Sequence, residues 1–370
     1  MKIPTHALLR PVMAVIALSY VAAAHAGMIV EVRDPRQLQQ QQQIIFPQAE
    51  VKVVALEFES AAGDERGKQQ AKALHDRFLS QIHDVQGAAI VTYVAPSGER
   101  IQDFRATAEQ VARNQKAQIA VWGRVYVDAK GVALTNMRLM LIEPPPGISS
   151  EFANTSQLSS GAPVNTRGVI DAPVLQTRID FTTVSGDISP LADFLSGLVR
   201  YYKAATRDGT AATRWLQSSS ADFEHYLTAT RTSNDVSAAA QAHLYLARTL
   251  VRLATIDSVN AARYLLSAKQ HADQAAQLNP YNAEAPTVQA VIAARNGAPP
   301  GALRSFVGKA ITVAPLDSTN RVNAAMLDSA QGNIPAAMRQ LDNASVILKT
   351  SGKDAPPAVR QLQESISRQR

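Results

Sequence analysis

The spacing of apolar side chains divides the chain into an amino-terminal part with strand patterns and a carboxyl-terminal part with helix patterns. The segment VKVVALEFE, which starts at Val51, is a β-branched run that ends in the turn-rich SAAGDERG. Apolar side chains then recur at Leu74, Phe78 and Ile82. This helical interval predicts an amphipathic helix over residues 68–84.

Further strands and one more helix follow in an alternating order. The segment AAIVTYV predicts a second strand, and residues 106–115 a second helix. Apolar and polar positions then alternate through AQIAVWGRVYVDAKGVALTNMRLMLIE, on both sides of a predicted hairpin turn at residues 128–131. VLQTRIDFTTVS predicts a further strand of the same sheet. The pattern predicts a mixed α/β domain of sandwich type over residues 50–186, preceded by a Gln-rich linker at residues 27–49.

From SPLADFLSGLVRYYKAA onward the pattern is helical. Ser189 is suited to an N-cap and Pro190 to the first helical position. We predict connecting helices over residues 187–235 and helical repeats over residues 236–370. The expected fold class is therefore α+β, with a mixed α/β domain followed by an all-α solenoid.

Small residues recur at a fixed interval in the last third of the chain. The break at Pro280 returns at Pro315, which is 35 residues later. We expect small side chains where two helices cross closely, and glycine in the turn between them. The aligned positions are Ala290, Gly297, Ala302 and Ala310 in one block and Ala325, Gly332, Ala337 and Ala344 or Ser345 in the next.

This pattern resembles the tetratricopeptide repeat (TPR), whose period is about 34 residues. The resemblance covers residues 238–349, and Tyr245 and Phe306 are the nearest matches to the aromatic positions of the repeat. It implies helical hairpins that stack because no single hairpin can bury its apolar face, which creates a long concave surface. A generic alanine-rich array of hairpins is the alternative, and it would stack for the same reason.

The amino-terminal domain has a looser resemblance. VKVVALEFE, the helix after it and AQIAVWGRV are similar to the α/β domain shared by the TolB amino-terminal region, CsgG-like secretion proteins and FlgO-like flagellar outer-membrane proteins. Lys116, Ala117 and Gln118 stand where that group usually has a Gly-Ala-Asp-like turn. The resemblance implies a domain that docks to other envelope proteins and carries no catalytic residue.

The first residues indicate export. Lys2 and Arg10 make a basic start before a short apolar run, and Ala24-His25-Ala26 has the small-x-small form that signal peptidase requires. We predict a signal peptide over residues 1–26, with a membrane anchor as the alternative. The chain has no cysteine, which excludes a lipobox and thiol chemistry. The expected location is the periplasm, without lipid modification and without a transmembrane anchor after cleavage.

Charge narrows the class of partner. Loss of Lys2 and Arg10 with the signal peptide lowers the formal net charge from +6 to +4. From Ala238 onward, 14 Lys and Arg stand against 8 Asp and Glu. This excess suits an acidic protein, anionic lipid or cell-wall polymer, although scattered charges on helix surfaces are the favoured explanation. No dense basic run is present, which argues against nucleic acid.

No catalytic motif is present in the sequence, and we predict no cofactor and no metal site. His75 and His83 are eight residues apart rather than four, so we expect exposed histidines instead of a chelating pair. Trp122, Arg124 and Tyr126 share one face of a strand and suit either a stacked ligand or a sheet covered by a helix.

The helical repeats carry the predicted binding site. The first helices of the two clearest repeats would begin near Ala283 and Ser318 and present groups able to hold a peptide backbone or carboxylate. Val288 stands where a carboxylate-clamping repeat would need a polar group. The predicted partner-binding residues are Glu284, Thr287, Val291, Arg295, Asn320, Arg321, Asn323 and Met326.

We therefore predict a non-enzymatic periplasmic scaffold or adaptor in envelope or secretion-machinery assembly. Its expected partners are other envelope proteins or an extended peptide segment. Two alternatives stay open. One is an enzyme that acts on peptidoglycan through carboxylates among Asp171, Asp180 and Asp187. The other is an activator of a cell-wall synthase that does no chemistry itself.

Overall fold

The computed structural model describes most of the chain outside its amino terminus and several loops. The predicted signal peptide, most of the Gln-rich linker, the hairpin turn at residues 128–131 and Asp171 lie outside the described residues. The described residues are 28–32, 51–61, 65–83, 85, 88–94, 101, 103–127, 133–142, 178–183, 187–207, 209–233, 235–350 and 357–368.

One mixed sheet contains all strands of the described part. Its order is β1-β4-β2-β5-β6-β7, and β3 pairs with β5 beyond the end of β2. β1, β4, β2 and β5 run parallel, whereas β5, β6 and β7 are antiparallel neighbours. The strands are β1 (Met28–Val32), β2 (Val51–Leu56), β3 (Glu59–Ser60), β4 (Ala88–Tyr93), β5 (Ile119–Val127), β6 (Ala133–Leu141) and β7 (Arg178–Thr183).

The predicted strands are present, and one strand was not expected. The segment VLQTRIDFTTVS contributes β7, which joins the same sheet as predicted and pairs there with β6. Met28–Val32 falls inside the region predicted as a Gln-rich linker, yet it forms an edge strand in register with β4. The apolar and β-branched run MIVEV explains this, because parallel pairing with β4 gives its backbone groups partners that a free tether lacks.

Helices cover both faces of the sheet. The odd positions of β2, such as Val53, pack with Phe78 of α1 and with α3 in one buried cluster. The even positions, such as Val54, pack with Val111 of α2 in another. The helices are α1 (Glu65–His83), α2 (Phe104–Asn114), α3 (Ser189–Ala205), α4 (Gly209–Ala229), α5 (Val236–Ile256), α6 (Ala261–Leu278), α7 (Glu284–Arg295), α8 (Pro300–Val313), α9 (Ser318–Ala330), α10 (Ile334–Thr350) and α11 (Pro357–Ser367).

The sheet and the helices that follow share one hydrophobic core. The ring of Phe181 on β7 lies edge-on to Phe194 of α3, with 5.1 Å between the ring centroids. Phe194 in turn packs edge-on against Tyr226 of α4 at 5.3 Å. The same buried cluster continues through α5 and α6 to Ile292 of α7. The core therefore runs without a break from the sheet into the helical array.

The helices from α3 onward are arranged as successive antiparallel hairpins. The pairs α3/α4, α5/α6, α7/α8 and α9/α10 form the hairpins, each pair contacts the next, and α11 packs on α10. Gly297 and Gly332 occupy equivalent turns with φ of +79° and +73°, a conformation in which glycine has no steric penalty. Asn282 and Asp317 also correspond, and each accepts a bond from the backbone N–H two residues later, both at 2.8 Å.

The number of residues between equivalent positions of successive hairpins differs between the first and the second helices. Ala302, predicted to lie between helices, is exposed, and its neighbour Leu303 is buried instead. The turn after Gly297 is one residue longer than the turn after Gly332, so the buried positions of α8 and α10 are related by 34 residues rather than 35. Leu303, Val307 and Ala310 thus correspond to Ala337, Leu341 and Ala344, all of them buried.

Within the described residues, no helix is both long enough and apolar enough to cross a membrane.

The crossing of α3 and α4 gives a first prediction. A methyl group added at Gly197 would lie 2.9 Å from the ring of Phe223, so Gly197→Ala must displace a ring in the centre of the core. We expect this substitution to lower the free energy of unfolding by about 1 to 3 kcal/mol, as measured by urea denaturation.

Gly308→Ala is the matched control, because Gly308 also lies within a helix and has open space around it. This change should stabilise the protein by up to about 1 kcal/mol through helix propensity. Equal effects of the two substitutions would contradict the close crossing of α3 and α4.

Candidate functional site on the first helices

The first helices of the last three hairpins, α5, α7 and α9, meet through buried polar side chains. Nη1 of Arg248 on α5 donates to Oε2 of Glu284 on α7 at 2.6 Å. The two side chains are only 1% and 6% exposed. Glu284 is also the first residue of α7, where the helix dipole favours a negative charge. This ion pair joins the second hairpin to the third.

A second contact joins the third hairpin to the fourth. Oγ1 of Thr287 on α7 donates to Oδ1 of Asn320 on α9 at 2.9 Å. Asn320 donates in turn to Oδ2 of Asp317 at 3.1 Å, and burial raises the pKa of the Asp317 carboxyl above its usual value. We call these two contacts, Arg248–Glu284 and Thr287–Asn320, the polar seam.

Half of the predicted partner-binding residues lie in the interior. Glu284 bonds to α5, and Thr287 and Asn320 bond to each other, so a partner on the surface would not meet these groups. The sequence pattern did not distinguish them from surface groups, because polar residues at these helix positions are usually exposed. The buried residues are Glu284, Thr287, Asn320 and Asn323.

The other four predicted residues reach the surface. Arg295 is exposed at the end of α7, and Val291 is partly buried nearby. Met326 packs partly against the buried cluster that α9 shares with α10 and α11. Nη1 of Arg321 donates to Oε1 of Gln340 at 3.2 Å, while its buried Nε has no acceptor among the described residues. Two cations and two partly buried apolar side chains therefore reach the surface.

Two exposed apolar residues at equivalent positions were not predicted. Tyr281 is 88% exposed and Leu316 is 80% exposed. Each follows the proline that separates successive hairpins, and the two lie 35 residues apart. Large apolar side chains at repeated exposed positions are a common mark of an interaction surface. The repeat of Pro280 at Pro315 was the feature of the sequence that could have identified Tyr281 and Leu316 as equivalent positions.

Two of the three carboxylates considered for catalysis, Asp180 and Asp187, have other partners in the described structure. Asp180 pairs with Nε of Arg138 at 3.1 Å, and Oδ1 of Asp187 accepts from the backbone N–H of Ser189 at the same distance. His75 was expected on the surface, but it is buried beneath the sheet, where its Nε2 lies 2.9 Å from Oγ1 of Thr92. In the described part of the chain, no group of three His, Cys, Asp or Glu is placed to hold a metal ion.

Two histidines face each other between α5 and α6. The Nδ1 atoms of His243 and His271 are 2.9 Å apart, and the two rings lie edge to edge with 27° between their planes. Burial, together with the neighbouring His271, lowers the pKa of His243 to about 4. Burial also lowers the pKa of His271, which Glu224 on α4 partly opposes. Both rings are therefore uncharged at pH 7, and the Nδ1–H of one donates to the Nδ1 of the other between the two helices.

Comparison with known proteins gives structural likenesses alone. No protein-family model and no curated protein match the chain. TTC0263, a thermophilic TPR protein of Thermus thermophilus, is similar at 15% identity and a TM-score of 0.34, over 48% of this chain and 90% of that one.

Two further solved structures are similar at comparable levels. Residues 1–338 of Acl4, an assembly chaperone of RpL4, match at 10% identity and a TM-score of 0.35, over 48% of this chain and 67% of that one. A TPR protein from Parabacteroides merdae matches at 11% identity and a TM-score of 0.24, over 60% of this chain and 91% of that one. Likenesses at these values carry no functional argument.

The polar seam gives a second prediction. Glu284→Ala leaves the Arg248 guanidinium buried without its carboxylate, so we expect a loss of about 3 to 5 kcal/mol in the free energy of unfolding. The double variant Arg248→Met and Glu284→Met should recover most of this loss, because it removes both charges and keeps the volume. A double variant no more stable than Glu284→Ala would show that the loss comes from packing instead of charge.

The histidine pair gives a third prediction, of pH dependence. His243 has a pKa of about 4 in the folded protein against an ordinary value of 6.5, so the unfolded chain binds the proton more readily between these values. Stability should be full above pH 6.5 and fall as the pH decreases towards 4. For this partly exposed group we expect a loss of about 2 kcal/mol.

Denaturant titrations at about pH 7, above this range, and at about pH 4.5, near its lower end, measure the effect. In His243→Gln the decrease in stability between the two values should be smaller than in the unaltered protein. His83→Gln, on α1 and away from the pair, is the control and should keep the original dependence. The same pH dependence in all three proteins would refute the assignment.

Proposed function

We propose that this protein is an exported, non-enzymatic adaptor that binds protein partners during envelope or secretion-machinery assembly. The observation that supports it most is the array of hairpins, in which buried side chains set the stacking and a repeated set of side chains stays on the surface. Hairpin arrays of this kind offer extended surfaces whose area grows with the number of repeats.

The exposed residues suit recognition of an extended acidic segment. Tyr281 and Leu316 supply apolar contacts at the same position of successive hairpins. Arg295 and Arg321 supply cations on the first helices α7 and α9. Tyrosine and arginine are enriched among the residues that dominate binding energy, and opposite charge speeds the encounter of two partners.

The proposed location rests on the sequence. Residues 1–26 have the basic start, short apolar run and small-x-small end of a signal peptide. The absence of cysteine fits a chain that is exported without lipid attachment. The partners would then be envelope proteins in the periplasm.

Affinity capture from periplasmic extract tests this proposal and gives a fourth prediction. Residues 27–370 should recover a discrete partner, and the double variant Tyr281→Ala and Leu316→Ala should recover it at least about tenfold less, because each truncated anchor is expected to remove more than about 1 kcal/mol. The full chain is used because α3 and α5 complete the core of the sheet.

Leu266→Ala and Val346→Ala together form the matched control. These residues are also exposed apolar side chains, at 62% and 60%, but they lie on the second helices α6 and α10. Recovery should be unaffected in this control. Equal loss in both double variants would mean that capture is non-specific, and no discrete partner at all would refute the adaptor proposal.

A further inference from the structure

A cavity of about 250 Å³ lies on the face of the sheet that carries α2. The helix packs on β2 and β5, and the cavity forms beside its first turn, over β5 and β6. Its walls include the first two residues of α2, Phe104 and Arg105, and three residues of β5, Trp122, Arg124 and Tyr126. No part of the adaptor proposal uses this cavity.

The register of the sheet brings the lining side chains together. Trp122 lies opposite Arg138, and Arg124 lies opposite Asn136 on the antiparallel neighbour β6. Since successive side chains of a strand alternate between faces, these four share one face. Met137, between Asn136 and Arg138, points the other way, towards the core beneath the sheet. The cavity thus has a floor of alternating aromatic and polar groups.

Most charges of the floor are already neutralised. Nε of Arg124 donates to Oε2 of Glu59 at 2.8 Å. Nε of Arg138 donates to Oδ1 of Asp180 at 3.1 Å. These ion pairs fix both side chains and leave other guanidinium N–H groups able to donate. Arg105 has no ion pair among the described residues.

Two polar groups at the cavity lack partners in the described protein. Trp122 is only 2% exposed, and its indole N–H has no acceptor within the described ranges. Oδ1 of Asn136, diagonally across the strand pair, has no donor within them either. Each such buried group costs about 1 to 3 kcal/mol, which a hydrogen-bonding ligand would recover. An unsatisfied donor and an unsatisfied acceptor at one cavity indicate a ligand that offers both functions.

We propose that this cavity binds a neutral sugar of one or two rings. A hydroxyl group both donates and accepts, so it can satisfy the indole N–H and the amide of Asn136 in either orientation of that amide. The apolar face of a sugar ring can pack on the exposed ring of Tyr126 or on Phe104. An anion would meet Glu59 and Asp103, and a cation would meet Arg105 and Arg124. The enclosed indole nitrogen requires side chains of the lining to shift on binding, as is common at interfaces.

The chain contains two tryptophans, Trp122 at the cavity and Trp215 on α4, which permits a direct test by NMR. Two indole N–H signals are expected, and the variant Trp215→Phe identifies which belongs to Trp122. Titration with N-acetylglucosamine, and separately with glucose, should move the Trp122 signal in a saturable manner. The Trp215 signal should stay in place.

Affinities of variants complete the test. Trp122→Phe keeps an aromatic face but removes the N–H, and should weaken sugar binding about tenfold, the loss of one hydrogen bond. Asn136→Ala should weaken sugar binding similarly. It replaces Trp122→Phe in the test if circular dichroism shows that Trp122→Phe does not fold. Trp215→Phe is the control and should bind as the unaltered protein does.

Three outcomes would overturn the proposal. The first is that the Trp122 signal does not move with either sugar at about 10 mM. This concentration would nearly saturate a site with a dissociation constant of about 1 mM. The second is a saturable shift with sodium acetate or a blocked alanine dipeptide but not with sugar, which would assign the cavity to an anion or a peptide. The third is unchanged sugar affinity in both Trp122→Phe and Asn136→Ala.

Discussion

The helical array depends on polar side chains that are buried where each first helix meets the next. Arg248 can be buried on α5 because Glu284 supplies a carboxylate at 2.6 Å, and a buried charge without its partner is among the most costly defects in a protein interior. Small apolar residues of the second helices, such as Ala310 and Ala344, let the helices approach but specify no particular register. The polar seam supplies that specification, because a shift of one hairpin against the next would separate donor from acceptor.

The continuous core gives the sheet and the array a common foundation. Phe181 on the edge strand β7 contacts Phe194 of α3, and α5 packs against the same strand. The antiparallel half of the sheet is thereby covered by the array on one face, while α2 leaves part of the opposite face open. This asymmetry explains why the cavity lies beside β5 and β6, since this part of the sheet has one face in the core and the other lined by Trp122, Arg124 and Asn136.

Features that depend on neighbouring residues in the sequence were predicted better than features that depend on contacts between distant residues. The strand and helix spacing identified most elements, and Gly297 and Gly332 marked two equivalent turns because a positive φ favours glycine wherever it occurs. Burial of Glu284, Asn320 and His75 was missed, since each depends on a partner distant in sequence. Ala302 was misassigned because one extra residue in a turn rotates every later position of the helix by about 100°. The surface half of the predicted site, with Arg295 and Met326, stays a prediction.

The distribution of charge gives the adaptor proposal a physical basis that the net charge alone does not. Acidic groups of the array are used inside it: Glu284 neutralises Arg248, and the almost fully buried Asp328 pairs with Arg304. From Ala238 onward the chain has 14 basic and 8 acidic residues. Such pairing leaves the difference between these numbers unchanged, because each ion pair uses one positive and one negative charge. The surface that remains has proportionally fewer carboxylates to oppose an acidic partner. Salt screens electrostatic attraction beyond about 8 to 10 Å under physiological conditions. The surface charge therefore favours a partner in direct contact with the array and has little effect on a distant one.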